Sequence, residues 1–169
     1  MRGTASSIDL SIKPVSAVLK FRETILRETL KTNTVSMATA TERSAALLGK
    51  SSEPRIIFVS SRLRSITICS DTDDGARNED CKCYRMSKAA VGMLVACDVW
   101  KYKKGFKAFT YHPGYALTDL ANMREGKVKK GVTTPEGSTR GTIVIVQGKR
   151  NSEVDGFLYG EEVGLQHPW

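Results

Sequence analysis

The stretch on which the fold of this chain depends runs from Tyr84 to Lys104, YRMSKAAVGMLVACDVWKYKK. It joins a charged, helix-spaced start to a long apolar run, which predicts a helix over 84–104 that Gly105 ends. Tyr84 and Lys88 are about one turn apart and therefore lie on one face of that helix. A cation beside a tyrosine favours the phenolate, so the pair could exchange protons with a ligand. Taken alone, it could equally be an ordinary surface pair.

The segments on either side of this helix predict a parallel sheet. Upstream, RIIFVSS (55–61) is an apolar run closed by two serines, as expected of a strand buried on both faces. Downstream, FKAFTY (106–111) predicts a second strand, which His112-Pro113-Gly114 ends. A strand, a helix and a strand in this order predict an α/β fold, a partial Rossmann-like, doubly wound parallel sheet with flanking helices. Ligands of such sheets bind at the carboxyl ends of the strands.

The regions before this unit predict a leader and a helix. Residues 1–13 are expected to form a loose leader. From Pro14 a helical pattern runs past Asn33 to Gly49, as two helices or as one long kinked helix.

The remaining segments lie between and after the strands. Residues 62–83 are acidic and lack a packing pattern, so we expect a surface loop there. Thr134 followed by Pro135 is typical of a helix start, although the β-branched residues that follow leave a strand as the alternative. A short last strand is expected over 156–160, and residues 14–169 as a whole are predicted to form one domain.

Composition excludes several classes of protein. At 169 residues the chain suits one domain, and none of its apolar runs approaches the ~20 residues of a membrane span. Four cysteines without a secretory signal predict reduced thiols and a cytoplasmic location, with a mitochondrial presequence as a weaker alternative. Two histidines and one close cysteine pair do not complete a zinc site. The net charge of +8 is concentrated in residues 99–150. This basic region contains no nucleic-acid-binding motif, so nucleic acid is an unlikely partner.

Four motifs together resemble the short-chain dehydrogenase/reductase family. YRMSKAA (84–90) is similar to the family's Tyr-x-x-x-Lys segment, and IIFVSS (56–61) to the strand that ends in its catalytic serine. HPGYALT (112–118) resembles the Pro-Gly-x-x-x-Thr loop that covers the nicotinamide, and Lys31-Thr32-Asn33 falls where the family's catalytic asparagine lies. The motifs follow the family's order. The sequence near the C-terminus, VQGKRNSEVDGFLYG (146–160) and HPW (167–169), is similar to that of a group of fungal members.

The resemblance implies a role for each of these residues. Tyr84 would be the general acid/base, and Lys88 would lower the pKa of Tyr84 and hold the nicotinamide ribose. Ser61 would bind the same substrate oxygen as Tyr84, with Ser60 as the alternative, and Asn33 would anchor a water that links Lys88 to solvent. The cofactor-binding residues would be Lys88, Pro113, Gly114 and Thr118, and the cofactor NAD or NADP. The implied reaction interconverts a small-molecule carbonyl and its alcohol by hydride transfer.

Two departures from the family pattern qualify this hypothesis. Ser61 precedes Tyr84 by 84 − 61 = 23 residues, about a dozen more than is usual in the family. Only Gly3 and Gly49 precede residue 60, so the Gly-rich turn that binds a pyrophosphate is missing. The chain therefore resembles the C-terminal catalytic half of a family member, truncated on its N-terminal side, and weak or no activity is expected of it alone.

Other interpretations stay open. The chain could be a non-catalytic, regulatory partner of a full-length relative, or the product of an incomplete gene model. For the chain as a truncated family member we expect a homo-oligomer through helices including 84–104. We also expect strand 55–60 to be an exposed edge that favours self-association.

Overall fold

A computed structural model describes residues 15–73, 81–101, 106–116, 134–160 and 163–169. Its elements, in chain order, are α1 (Val15–Leu30), a π-helical turn (Lys31–Val35), α2 (Ser36–Leu48), β1 (Arg55–Val59), a 3-10 turn (Arg62–Arg64), α3 (Ile66–Ser70), α4 (Lys82–Lys101), β2 (Lys107–His112), α5 (Pro135–Val146), a second 3-10 turn (Asn151–Glu153) and β3 (Phe157–Tyr159). The predicted leader, 1–13, lies outside the described residues.

The three strands form one parallel sheet in the order β1-β2-β3. Val59 lies opposite Tyr111, and the Ser60 amide donates to the Tyr111 carbonyl at 2.8 Å, so the carboxyl ends of β1 and β2 are level. This sheet with its flanking helices confirms the predicted α/β, Rossmann-like class. None of the helices in the described ranges combines the length and apolarity that crossing a bilayer requires.

Alternating side chains give the sheet two apolar faces. Phe58 and Ala108 pack against Val91 and Val95 of α4 on one face. The other face packs against Ile145 of α5 and contains three further buried side chains, those of Phe109, Tyr111 and Leu158. Helix α4 is thus fixed against β1 and β2, which determines where its first turn lies relative to the strand ends.

The helix predicted from Pro14 to Gly49 is continuous over the described residues. Leu30, Val35 and Ser36 all have helical backbone angles, so α1, the π turn and α2 follow one another without a break. The segment that begins at Thr134 was expected to be a helix, with a strand as the alternative. The Thr134 hydroxyl accepts from the Gly137 amide at 3.1 Å, and helix α5 follows. The helix prediction is confirmed there because the cap and Pro135 outweigh the strand preference of the β-branched residues.

The surface loop predicted over 62–83 is wrong for 62–70. This part forms the 3-10 turn and α3, and Arg64, Ser65 and Ile68 in it are buried. The reason is long-range: Ser65 and Thr67 bind the carbonyl of Trp169, which a local pattern does not reveal. Residues 74–80 lie outside the described residues, and α4 begins at Lys82 rather than at Tyr84.

The last described residues, 163–169, form what we call the C-terminal segment, which lies along the outer edge of β3. Gln166 pairs with Leu158 in antiparallel fashion, and the His167 amide donates to the Phe157 carbonyl at 2.8 Å. Arg150 is fully buried and binds the Leu165 carbonyl at 3.0 Å. One edge of the sheet is thereby covered, whereas β1 pairs only with β2 among the described residues.

Candidate active site

Four of the predicted site residues lie close together where β1 ends and α4 begins: Asn33, Ser61, Tyr84 and Lys88. Ser61 follows β1 with an extended backbone and accepts a hydrogen bond from the Leu63 amide at 3.3 Å, so it starts the 3-10 turn. Its side chain also hydrogen-bonds that of Tyr84 in the first turn of α4. The structure thus joins two residues that are 23 positions apart in the sequence.

The electrostatics of Tyr84 differ from what the resemblance implies. Burial raises the pKa of the Tyr84 phenol, the hydrogen bond with Ser61 lowers it in part, and the nearby Cys81 thiol raises it further. The pKa ends above its usual value, and Lys88 does not lower it as expected. Burial therefore outweighs the favourable contacts, and the phenol is protonated at neutral pH. A protonated phenol in this position is a proton donor.

Lys88 is buried one turn further along α4. Its Nζ lies 5.7 Å from the centroid of the Tyr84 ring and donates to the Val59 carbonyl at 3.0 Å. Burial lowers the pKa of the ammonium group. The amine is thus tied to the end of β1 beside the phenol, and it can stabilise negative charge that develops on the phenol oxygen.

Asn33 contacts α4 at Ser87, the residue before Lys88. Its Nδ2 donates to Ser87 Oγ at 2.9 Å, and the neighbouring Thr34 hydroxyl donates to the Ser87 carbonyl at 3.0 Å. Asn33 lies in the π-helical turn, and such turns are frequent at functional sites. The structure therefore brings Asn33 to the same turn of α4 as the other residues. Its predicted water-anchoring role stays a prediction.

Ser87 was not among the predicted site residues. Its hydroxyl accepts from Asn33 and donates to the Tyr84 carbonyl at 2.8 Å, so it connects the π turn to the backbone of Tyr84. Ser87 is fully buried. The one feature of the sequence that pointed to Ser87 was its place at the start of the Ser-Lys-Ala-Ala motif, 87–90.

The two serines at the end of β1 have different surroundings. Ser60 Oγ is buried and lacks a hydrogen-bond partner in the part of the chain that the structure describes, whereas Ser61 reaches Tyr84. The structure therefore places Ser61 rather than Ser60 against Tyr84, and the role of either serine stays a prediction.

The predicted nicotinamide loop begins directly after β2. His112 ends the strand, Pro113 follows it, and Gly114 has a φ of 80°, which favours glycine. The level strand ends place this turn beside Ser60 and Ser61. Thr118 lies outside the described residues.

His112 borders the site as a neutral group. Its ring centroid is 5.3 Å from that of His167. Burial, together with the charges of His167 and Arg62, lowers the pKa of His112 to about 4. The imidazole is consequently uncharged at neutral pH.

The residues at the carboxyl ends of β1 and β2 fit the nicotinamide end of a dinucleotide. Lys88 and the turn at Pro113 and Gly114 lie at the same edge of the sheet. Ser60 Oγ and His112 Nδ1 are buried polar atoms without a hydrogen-bond partner among the described residues, so this edge retains unused polar groups. Such an edge suits a polar ligand bound at the carboxyl ends of the strands.

Comparison with known proteins supports the fold. Family models and curated proteins gave no match. Among solved structures, NADPH-bound carbonyl reductase from chicken fatty liver superposes with a TM-score of 0.72 at 21% identity, covering 100% of this chain and 64% of the reductase. For the carbonyl reductase Sniffer of D. melanogaster the TM-score is 0.67 at 24% identity, covering 93% of this chain and 61% of Sniffer.

The putative carbonyl reductase Sniffer of Caenorhabditis elegans gives a TM-score of 0.58 at 22% identity, with 99% of this chain and 63% of that protein covered. The chain thus spans less than two thirds of the length of each of these structures. At this identity the likeness concerns architecture alone, and it shows that the chain has the Rossmann-like fold of these carbonyl reductases.

Proposed function

We propose that this chain carries the catalytic centre of an NAD(P)-dependent oxidoreductase that interconverts a small-molecule carbonyl and its alcohol. The observation that carries the proposal is the hydrogen bond between Ser61 and a protonated Tyr84, with the Lys88 amine beside the same ring. The carbonyl reductases that share the fold are consistent with it.

The residues supply the proton half of the reaction. When bound, the nicotinamide cofactor supplies the hydride. In the reductive direction the phenol of Tyr84 gives its proton to the carbonyl oxygen, and the electron pair of the broken O–H bond stays on the phenolate. Ser61 holds the same oxygen, and Lys88 stabilises the phenolate by its charge. Alcohol oxidation reverses these proton movements.

We propose Lys88, Pro113, Gly114 and Thr118 as the residues that hold the nicotinamide end of NAD or NADP. The chain lacks a Gly-rich turn before residue 60 that would bind the pyrophosphate. We therefore expect weak cofactor binding and slow turnover by the chain alone. Titration of NADPH fluorescence measures the first, and tight saturable binding would contradict the expectation.

The direct test is reduction of an aromatic aldehyde by NADPH at high enzyme concentration, followed by absorbance. Tyr84→Phe removes the proton donor but keeps the ring, so we expect it to lower the rate by about 10²- to 10⁴-fold. A rate in Tyr84→Phe close to that of the unaltered chain would refute the assignment of the acid/base. Ile143→Ala on α5, at a position that is 52% exposed, serves as the control.

A second candidate function is a non-catalytic partner of a full-length relative, favoured by the outer edge of β1, which pairs with no second strand in the part of the chain that the structure describes. Val59 at this edge is 47% exposed. Co-purification with an oxidoreductase, undiminished in Tyr84→Phe but lost in Val59→Lys, would favour this candidate.

We also propose a homo-oligomer that uses α4. Met86 and Met93 are one heptad apart on this helix and are 43% and 67% exposed. Exposed apolar residues on one helix face suit contact with a second copy.

A further inference from the structure

The carbonyl of Trp169 is bound by the start of α3. It accepts from the Ser65 hydroxyl at 3.1 Å, from the Thr67 amide at 3.1 Å and from the Thr67 hydroxyl at 2.7 Å. Ser65 also caps α3, since its hydroxyl accepts from the Ile68 amide at 3.1 Å. The C-terminal segment is therefore attached to the part of the chain that directly follows the 3-10 turn.

The ring of Trp169 makes a second attachment, to Arg64 within the turn. The guanidinium carbon of Arg64 lies 4.1 Å from the centroid of the Trp169 ring and 3.8 Å from that of Phe157. Arg64 is 4% exposed, and its three side-chain nitrogens lack hydrogen-bond partners among the described residues. Burial lowers its pKa to about 10, so it stays charged at neutral pH. The two rings offset the cost of burying this charge.

Helix α4 leaves the space that this arrangement needs. Gly92 faces the guanidinium, and a Cβ at this position would collide with Arg64 Nη1. The guanidinium is thus enclosed by α4, β3 and the C-terminal segment. Because the enclosure leaves little room, Arg64 serves as a packing element rather than as a binding site for an anion.

The same turn carries Ser61. The Arg64 amide donates to the Ser61 carbonyl at 3.0 Å, and the Leu63 amide donates to the Ser61 hydroxyl. From α4, Arg85 Nη1 donates to the Leu63 carbonyl at 3.2 Å. The turn is therefore held by α4 on one side and by Trp169, through Arg64, on the other.

We infer that Arg64 and Trp169 are positioning residues, which hold the 3-10 turn so that the Ser61 hydroxyl stays against Tyr84. The importance of this positioning for catalysis rests on the proposed function, whereas the contacts from Trp169 through Arg64 to the turn do not. Neither residue touches the proposed reacting atoms. Removing the Trp169 ring should let the turn shift and weaken the hydrogen bond between Ser61 and Tyr84.

The test is titration of Tyr84 by NMR of protein labelled with 13Cζ-tyrosine, with Tyr84→Phe to assign the signal. The side chains of Ser61 and Lys88 and the Cys81 thiol face this phenol, and of these Ser61 lowers its pKa. We expect Trp169→Ala to raise the pKa of Tyr84 and Trp169→Phe, which keeps a ring over Arg64, to restore it. Val163→Ala, in the same segment but 61% exposed, should leave it unchanged.

An unchanged Tyr84 pKa in folded Trp169→Ala would overturn the inference. So would a rise in Trp169→Phe or in Val163→Ala as large as that in Trp169→Ala. If Trp169→Ala does not fold, Thr67→Val decides in the same way, because it removes the hydrogen bond from the Thr67 hydroxyl and keeps the ring. The NMR titration needs no turnover, so the two claims are tested separately. An absence of carbonyl reduction would refute the proposed function, whereas the pKa of Tyr84 in the variants would still decide whether Arg64 and Trp169 position Ser61.

Discussion

Burial raises the pKa of Tyr84, and the hydrogen bond with Ser61 offsets only part of this effect. A group whose pKa lies above its ordinary value of ~10 is protonated throughout the physiological range. The proposed site is therefore set to give a proton to a carbonyl oxygen. A bound cofactor would have to stabilise the phenolate further before the residue could act as a base near neutral pH.

This balance predicts the pH dependence of carbonyl reduction. The reaction needs the protonated phenol, so the contribution of Tyr84 to kcat should persist through neutral pH and decline only as the pH rises through its raised pKa. Loss of general acid catalysis typically costs about 10²- to 10⁴-fold. Tyr84→Phe should show a rate lower by this factor and no decline in the alkaline range. A profile that falls between pH 6 and 8 would contradict the assignment.

The two serines give a second prediction at the same scale. Ser61→Ala removes the hydrogen bond with Tyr84 and the cap of the 3-10 turn, so it should raise the pKa of Tyr84 and lower kcat. Ser60→Ala removes a hydroxyl that has no hydrogen-bond partner among the described residues, so both quantities should change little. The 13Cζ titration and the rate assay measure the two variants side by side. If the two variants behave in the reverse way, Ser60 is the active serine.

At the scale of elements, the π-helical turn brings the long N-terminal helix to the first turn of α4. Asn33 and Thr34 both bind Ser87, one through its hydroxyl and one through its carbonyl. Two hydrogen bonds from adjacent residues fix both the distance and the rotation between the helices. The candidate site thus depends on helix–helix contact as well as on strand ends.

Asn33→Ala should weaken this contact. The variant removes one partly buried hydrogen bond and leaves the Ser87 hydroxyl with its bond to the Tyr84 carbonyl, so we expect a loss of roughly 1 kcal/mol in the free energy of unfolding. Thr34→Val is the matched variant at the second bond. Urea unfolding followed by circular dichroism measures both. A change within error in both variants would show that the contact does not hold the helices together.

Local patterns were sufficient for some elements and insufficient for others. The apolar run before Ser60 predicted β1, and the pair Thr134-Pro135 predicted α5, because strand burial and helix capping depend on neighbouring residues. The turn and α3 at 62–70 were missed because their stability comes from Trp169, about a hundred residues away. The raised pKa of Tyr84 also depended on burial, which the spacing of Tyr84 and Lys88 could not reveal.

At the scale of the whole molecule, a buried ion pair joins β3 to the C-terminal segment. Arg150 Nε donates to Glu153 Oε2 at 2.6 Å and Nη2 to Oε1 at 2.8 Å. The remaining donors of Arg150 bind the carbonyls of Tyr159, Gly160 and Leu165. All donors of a buried guanidinium are thus used, which is the condition under which such a pair is stable.

The hydrogen bond with Arg150 lowers the pKa of Glu153 from 4.5 to about 2. A depressed pKa contributes stability that is present above the unfolded value and is lost as the pH falls from about 4.5 through about 2. Glu153→Gln should abolish this part of the acid sensitivity. At pH 7 it should destabilise by about 3–5 kcal/mol because it leaves Arg150 buried without a counter-ion. Urea unfolding at pH 7 and pH 3 measures both effects, and Glu23→Gln, at an exposed pair, should change little.

Two surfaces are candidates for the proposed self-association, and one experiment separates them. Arg55 and Ile57 alternate along the outer edge of β1, which pairs with no second strand among the described residues, so their backbone groups can bind one. Val59 lies at the end of the same edge and is 47% exposed. Met93 lies on the exposed face of α4.

A lysine at Val59 or at Met93 adds charge and a long, solvated side chain, so it should weaken only the contact that passes through it. We expect sedimentation velocity to show an oligomer for the unaltered chain and a shift towards monomer in Val59→Lys or in Met93→Lys, whichever marks the true contact. Val146→Lys on α5, which is 58% exposed, is the matched control. A monomer in the unaltered chain at micromolar concentration would refute both surfaces.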